Sequence, residues 1–190
     1  MHDVTYSMGL SLDGFIVGPD GGFDWGAPEE QIRDVMEISI DEIQGVSTHL
    51  MGRRIYETML YWETAAQDPD LEEQERRWTE LWNPLPKVVL SRTLTEVQGA
   101  ARLATGTLRE EIERLKSEPG DGDIAIAGAT LAAQAADLGL IDEYRLRVSP
   151  VLVGGGIPYF SHGRRPVDLE LVESRECAAG LMYLRYRVRR

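Results

Sequence analysis

Apolar and polar positions switch between a period of two and a period near 3.6 several times along the chain, and these switches predict its elements. Residues 3–10, DVTYSMGL, are rich in β-formers and predict a short strand. The Gly, Pro and Asp crowding residues 11–28 predict a long loop behind it, of a length often used for function. From Glu29 to Ile43, Ile32, Val35, Met36 and Ile43 share one helical face while Glu30, Asp34, Glu37 and Asp41 share the other, which predicts an amphipathic helix. VSTHLM (46–51) predicts a second strand with Gly52 as its turn, and RIYETMLYW a helix that begins at once. A polar helix is expected over 70–82, stopped by Asn83-Pro84, and KVVLS (87–91) has the composition of a buried strand.

Thr107 and Glu110 have capping-box spacing, and Leu108, Ile112 and Leu115 give the helix behind them a buried stripe that ends at Pro119-Gly120. DIAIAG (123–128) predicts a strand, TLAAQAADL an Ala-rich helix, and Gly139 its C-terminal cap. Tyr144, Leu146 and Val148 alternate with Arg145, Arg147 and Ser149 in a further strand; VDLELVESRE and LMYLRYRV flank Cys177–Gly180 as a hairpin. Strands alternating with helices and a terminal hairpin predict a single α/β domain over residues 1–190, with a mostly parallel sheet and antiparallel C-terminal strands.

Composition narrows what such a domain binds. The apolar share of 43% and charged share of 27% are those of a globular chain that folds unaided. A formal charge of -12 repels polyanions, so nucleic acid and anionic membranes are not expected partners, and an anionic ligand has to be small and held locally. The lone Cys177 excludes an intrachain disulfide and a Cys-based metal cluster. His2, His49 and His162 lack metal-ligand spacing. With no basic n-region and no run near the roughly 18 apolar residues of a membrane span, the expected location is the cytoplasm.

Against that charge, LMGRRIYETM (50–59) sets two arginines directly behind a glycine. A helix starting at Gly52 leaves its first N–H groups unpaired, and the peptide dipoles add positive charge there. Arg53 and Arg54 add guanidinium forks that suit phosphate. The competing account pairs them with surplus carboxylates, but cations at a helix N-terminus cost ~0.3–1 kcal/mol unless something negative sits beside them. Ser91-Arg92-Thr93 puts a further guanidinium and two hydroxyls behind a second strand. Gly128-Ala129-Thr130-Leu131 repeats the strand-glycine-helix junction at a third, equally readable as a tight turn with a Thr cap. Three such junctions in one sheet point to an extended nicotinamide dinucleotide.

SLDGFI, HLMGRRIYETM, VVLSRT, AGATL and LIDEYRLRVSPVLVGGGIPYF, in this order, resemble the dihydrofolate-reductase-like superfamily, in particular the branch of the C-terminal reductase domain of riboflavin biosynthesis. The resemblance spans most of the chain and implies a three-layer α/β fold, NADPH as hydride donor, a small pterin- or pyrimidine-like heterocycle as substrate, and a homodimer. It implies that Gly52, Arg53, Arg54 and Ile55 meet the pyrophosphate and 2'-phosphate, Ser91 and Arg92 the adenosine end, and Gly128, Ala129, Thr130 and Leu131 the pyrophosphate and nicotinamide side. Two positions depart from it. Ile55 replaces the phosphate-binding Thr of dihydrofolate reductases, and Ile126 the Glu with which riboflavin-pathway reductases contact their pyrimidine.

Reducing a C=N bond by hydride requires a proton for the nitrogen, which a carboxyl with a burial-raised pKa can deliver. Trp25-Gly26-Ala27-Pro28-Glu29-Glu30 resembles the W-x-x-P-x-D/E element that carries this acid in dihydrofolate reductases, which makes Glu30 the candidate and Asp34, one turn on, its alternative. A Glu in a helix's first turn is also stabilised by the dipole alone. Asp13 in the S-L-D-G loop is a second candidate, for orienting substrate, though Asp-Gly also simply makes turns. Gly154-Gly155-Gly156 precedes Ile157-Pro158 and not a helix, so it reads as a flexible loop near the site and not as a phosphate fingerprint. Besides a heterocycle reductase, the riboflavin-pathway uracil reductase and a non-catalytic dimeric nucleotide-binding protein remain open.

Overall fold

The computed structural model describes residues 2–160 and 166–190; His162 lies outside them. In chain order the elements are β1 (Val4–Ser11), β2 (Phe15–Val17), α1 (Glu29–Ile43), β3 (Val46–Gly52), α2 (Arg53–Met59), α3 (Tyr61–Ala65), α4 (Glu73–Trp82), β4 (Lys87–Leu90), β5 (Ala101–Leu103), α5 (Leu108–Ser117), β6 (Asp123–Ala127), α6 (Ala129–Asp137), β7 (Glu143–Ser149), β8 (Ile157–Pro158), β9 (Leu169–Glu176) and β10 (Met182–Val188). Eight strands form one sheet in the order β5-β4-β3-β6-β1-β7-β10-β9, and β2 pairs with β8 apart from it. Only β10 runs against the other seven, since it is antiparallel to both β7 and β9 while the remaining pairs are parallel.

The sheet is covered on both faces, which is why its central strands are apolar without interruption. Leu50 and Met51 are neighbours in β3 that point to opposite faces, and both are fully buried. On one side Leu50, Val88, Ile124 and Ile126 pack beneath α5 and α6 through Leu108, Ile112, Leu115, Leu131 and Ala135. On the other, Met51 and Val89 meet Ile40 and Ile43 of α1, Tyr56 of α2, and Trp78 and Trp82 of α4.

Local signals set several boundaries. Thr107 Oγ1 accepts the Glu110 N–H while Glu110 accepts the Thr107 N–H, the reciprocal cap that starts α5. Glu72 and Glu75 do the same for α4. Gly139, at φ 66°, closes α6 as expected, its N–H donating to Ala136 O and that of Leu140 to Ala135 O.

Four features differ from the sequence reading. The helix expected over RIYETMLYW is two short ones, α2 and α3. β2, of three residues, falls in the stretch read as a long loop, and β5 and β8, of three and two residues, fall where no element is predicted. In α1, Ile32 is 52% exposed and the buried positions are Gln31, Ile38, Ile40 and Ile43. The first turn of α1 projects past the sheet edge, where Gln31 Nε2 donates to Ser149 Oγ at 2.8 Å, so the apolar stripe has nothing beneath it until Val35. Finally, β7 is covered on both faces. Arg145 is buried because Glu143 (2.6 Å) and Asp123 (2.7 Å) pair with it, and Glu143 also binds Arg185. Burial pushes the Glu143 carboxyl up, but the Arg145 and Arg185 guanidiniums outweigh it and hold the group below the usual range.

Candidate functional site

β4, β3 and β6 are adjacent and parallel, so their carboxyl ends lie on one edge. Gly52 pairs with Leu90 and Met51 with Ala127, which sets Ser91 and Gly128 on either side of Gly52. At the usual strand spacing, the three junctions fit within about 10 Å. The residues nominated from the sequence for a dinucleotide therefore converge.

What they present is mostly backbone and guanidinium. Gly52 and Gly128, the residues before α2 and α6, offer no side-chain cap, and neither helix has an acid in its first turn. The leading N–H groups of both helices are thus left for a ligand or solvent. Gly128 has φ 99°, a conformation that L side chains rarely adopt. A Cβ there would lie 2.9 Å from Ile55 Cγ1, so Ile55 spends its side chain on Gly128 and on the core beside Met51, leaving only its backbone for phosphate. Ala129 and Leu131 are buried in the α6 core, while Thr130 is exposed.

The arginines differ among themselves. Arg53 forms an i,i+4 ion pair with Glu57 at 3.5 Å, half-exposed on both sides and therefore weak. Arg54 and Arg92 are exposed and make no side-chain hydrogen bond or ion pair among the described residues. Ser91 Oγ accepts the N–H groups of Leu94 (3.0 Å) and Thr93 (3.2 Å), which fixes the turn that carries Arg92. Uncapped helix starts, a glycine with no room for a side chain and two unpaired guanidiniums fit a phosphorylated dinucleotide.

The rest of the same edge is different. The carboxyl ends of β1 and β7 meet at Ser11 and Ser149. Asp13 accepts from Ser11 Oγ (2.6 Å), Gly154 N–H (2.7 Å) and Val153 N–H (3.2 Å), and the Ser11 hydroxyl contributes most to holding its carboxyl below the usual range. Asp13 therefore ties the glycine run to the end of β1, and its oxygens are engaged by the protein. Gly156 is also fixed: at φ 118°, a Cβ would strike Val17 O.

Glu30 lies at this edge in the first turn of α1 and is exposed, so the burial asked of a proton-donating carboxyl is missing there. Asp34 Oδ2 accepts the Ala178 N–H at 2.7 Å and so holds the hairpin turn against α1. Glu29 pairs with Arg33. Trp25, whose indole Nε1 is shut off without a partner among the described residues, has φ 46° and closes the turn before α1. The inward position of that turn is taken by Gln31, bonded to Ser149. Sequence reasoning passed over both, although a polar Gln in the inward phase of the helix is the signal that could have found them.

Two cavities lie elsewhere. One of about 380 Å³ opens at the opposite strand ends, among His2, Thr48, Lys87 and Glu118. The other, about 340 Å³, lies on the α1 face among Glu42, Asp123, Arg145, Tyr183 and Arg185. Among the described residues no group of three or more His, Cys, Asp or Glu could hold a metal ion, and no helix is long and apolar enough to cross a membrane.

The family model described as the RibD C-terminal domain matches residues 2–183. The chain belongs to this family. Uncharacterized protein YyaP of Bacillus subtilis strain 168 is 31% identical over 186 residues, covering 96% of this chain and 93% of that one. A crystal structure of a putative riboflavin biosynthesis protein from Shewanella sp. PV-4 superposes over the full length of both chains with a TM-score of 0.76 and 26% identity. The diaminohydroxyphosphoribosylaminopyrimidine deaminase/5-amino-6-(5-phosphoribosylamino)uracil reductase of Thermotoga maritima shares the fold, with a TM-score of 0.66 at 16% identity over 99% of this chain and 57% of that one. The mixed sheet with its antiparallel C-terminal strands is thus the RibD C-terminal fold.

Proposed function

We propose that this RibD C-terminal domain protein is an NADPH-dependent reductase of a small heterocycle. The observation that carries the reading is the convergence of Gly52, Ser91-Arg92 and Gly128 on three adjacent strand ends, with Arg54 and Arg92 free of protein carboxylates. Membership of a reductase family supports it. NADPH bound there would supply a hydride. The chain's part is to hold the phosphates with backbone N–H groups of α2 and α6 and with Arg54 and Arg92, and to seat the substrate beside Ser11, Gln31 and Ser149. Glu30 is exposed, so it delivers a proton only if bound substrate or cofactor covers it.

Against the uracil-reductase step of riboflavin synthesis stands Ile126. It replaces the substrate-contacting Glu of that branch and is 1% exposed, between Leu50 and Tyr6 in the core. The homodimer reading rests on β9, an edge strand carrying the exposed Leu169, Leu171 and Val172. The test of function is substrate-dependent loss of NADPH absorbance across pterins, pyrimidines, quinones and carbonyls. Turnover of the ribosylaminopyrimidine phosphate would select the riboflavin step. NADPH binding without any turnover would select a nucleotide-binding protein.

A further inference from the structure

α1 is fixed to the sheet by different contacts along its length. Its C-terminal half buries Ile40 and Ile43 in the cluster that holds Met51, Trp78 and Trp82. In its first half, Glu29 to Glu37, the buried residue is Gln31, while Ile32 is exposed and Val35 and Met36 are half-buried. Polar bonds hold this half instead: Gln31 Nε2 donates to Ser149 Oγ, Asp34 Oδ2 accepts the Ala178 N–H at 2.7 Å, and Glu37 Oε1 accepts from Gln74 Nε2 at 2.6 Å. Beneath the helix β1 and β7 offer no apolar side chain in their place, since β1 turns Ser7, Gly9 and Ser11 toward α1 and β7 turns Arg147 and Ser149. At Gly9 a Cβ would meet nothing beyond its own chain neighbours nearer than Arg147 O at 4.0 Å, so helix and strand are not in tight contact there.

The turns bordering this half-helix are strained. Pro28 provides no side-chain cap, and before it Trp25 has φ 46°; on the other side, the turn that Asp34 holds contains Ala179 at φ 53°. Among the described residues these are the two non-glycine residues with positive φ. Such conformations collect at switch regions.

We propose that residues 29–37 of α1 form a lid beside the carboxyl ends of β1 and β7, which opens as a unit while residues 38–43 stay docked, with Asp34 as its latch. Polar bonds to the sheet are exchanged for bonds to water at small net cost, whereas lifting Ile40 and Ile43 exposes apolar surface. The half with little apolar burial therefore opens first. Opening separates Gln31 from Ser149 and bares the end of β1. Its role as a gate rests on the reductase reading above; the opening itself does not.

Hydrogen exchange of the free full chain, read amide by amide by NMR, is the test. The amides of residues 33–37 should share one level of protection, at least about tenfold below that of residues 40–43, with a step between the two groups. Asp34→Ala should speed exchange at residues 33–37 and at Ala178 by at least about threefold and leave residues 40–43 unchanged, the protected half serving as the control for folding. Alanine favours helix more than aspartate does, so propensity alone would slow exchange, and a rise reports the lost latch. Equal protection along residues 33–43, a residue-by-residue decline typical of a fraying end, or no effect of Asp34→Ala overturns the proposal. NADPH affinity is titrated separately, so failure of the reductase reading is distinguishable from failure of the lid.

Discussion

Gly128 and Ile55 approach so closely that no side chain fits between them, a Cβ on the glycine falling 2.9 Å from Ile55 Cγ1 and 3.9 Å from Cδ1. This contact locks the start of α6 to the first turn of α2, the two elements whose N–H groups are proposed to share one diphosphate. Gly128→Ala adds backbone strain at φ 99° to the clash, together roughly 2–5 kcal/mol. The expected outcome is a lower Tm together with weaker NADPH binding. In an Ile55→Ala background the clash is gone and the added cost of Gly128→Ala should shrink, a double-mutant cycle with a measurable coupling.

Asp13 is expected to act on the glycine run before it acts on any substrate. Asp13→Ala frees the N–H groups of Val153 and Gly154, and hydrogen exchange at these two amides should accelerate while the β3-β6 core is unchanged. Unchanged protection at 153 and 154 would show that the clasp does not hold the loop.

His49 gives the protein an acid sensitivity of its own. Burial, and then the charge of Lys87, hold its pKa down to about 4, and its Nδ1 is shut off without a partner among the described residues. The unfolded chain takes up this proton near the ordinary value of about 6.5 and the folded chain only near 4, so stability falls as pH drops through that window. Urea midpoints for wild type and His49→Phe should diverge between about pH 7 and pH 4.5, the variant losing less. Parallel curves would contradict the assignment.

At the β9 edge, Leu171→Lys places a charge on the strand proposed to meet a second copy. Light scattering should show a wild-type dimer and a variant shifted toward monomer, with the thermal melt at low concentration little changed. A monomeric wild type would remove the dimer from the account.

Much of this was legible in the residues because separate signals agreed at the same places. The Thr107-Glu110 box, the stop at Gly139 and the glycines behind β3 and β6 each combined periodicity with an end signal. β2, β5 and β8 are too short to display a period, and they exist through partners distant in sequence, such as Val17 with Ile157. The helical phase of α1 is readable, but the end of the sheet beneath it is not, so Ile32 is expected on the inner face while the buried position of that turn is Gln31. The alternation of β7 does not reveal that Arg145 is buried, because its burial depends on Asp123 and Glu143, a pairing visible only once β6, β1 and β7 are side by side. The proposed coenzyme contacts, built from strand ends, are likewise easier to nominate than the proposed substrate contacts, which come from the ends of β1 and β7 and the start of α1.

The most direct measurement is a parallel titration of wild type, Arg53→Ala and Arg54→Ala with NADPH and with NADH. The account expects wild type to prefer NADPH, and Arg54→Ala to lose at least about tenfold in NADPH affinity with less than about threefold for NADH. Arg53→Ala should lose less, since Glu57 already draws on its charge. Absence of wild-type affinity for either dinucleotide, or equal losses for both in Arg54→Ala, would contradict it.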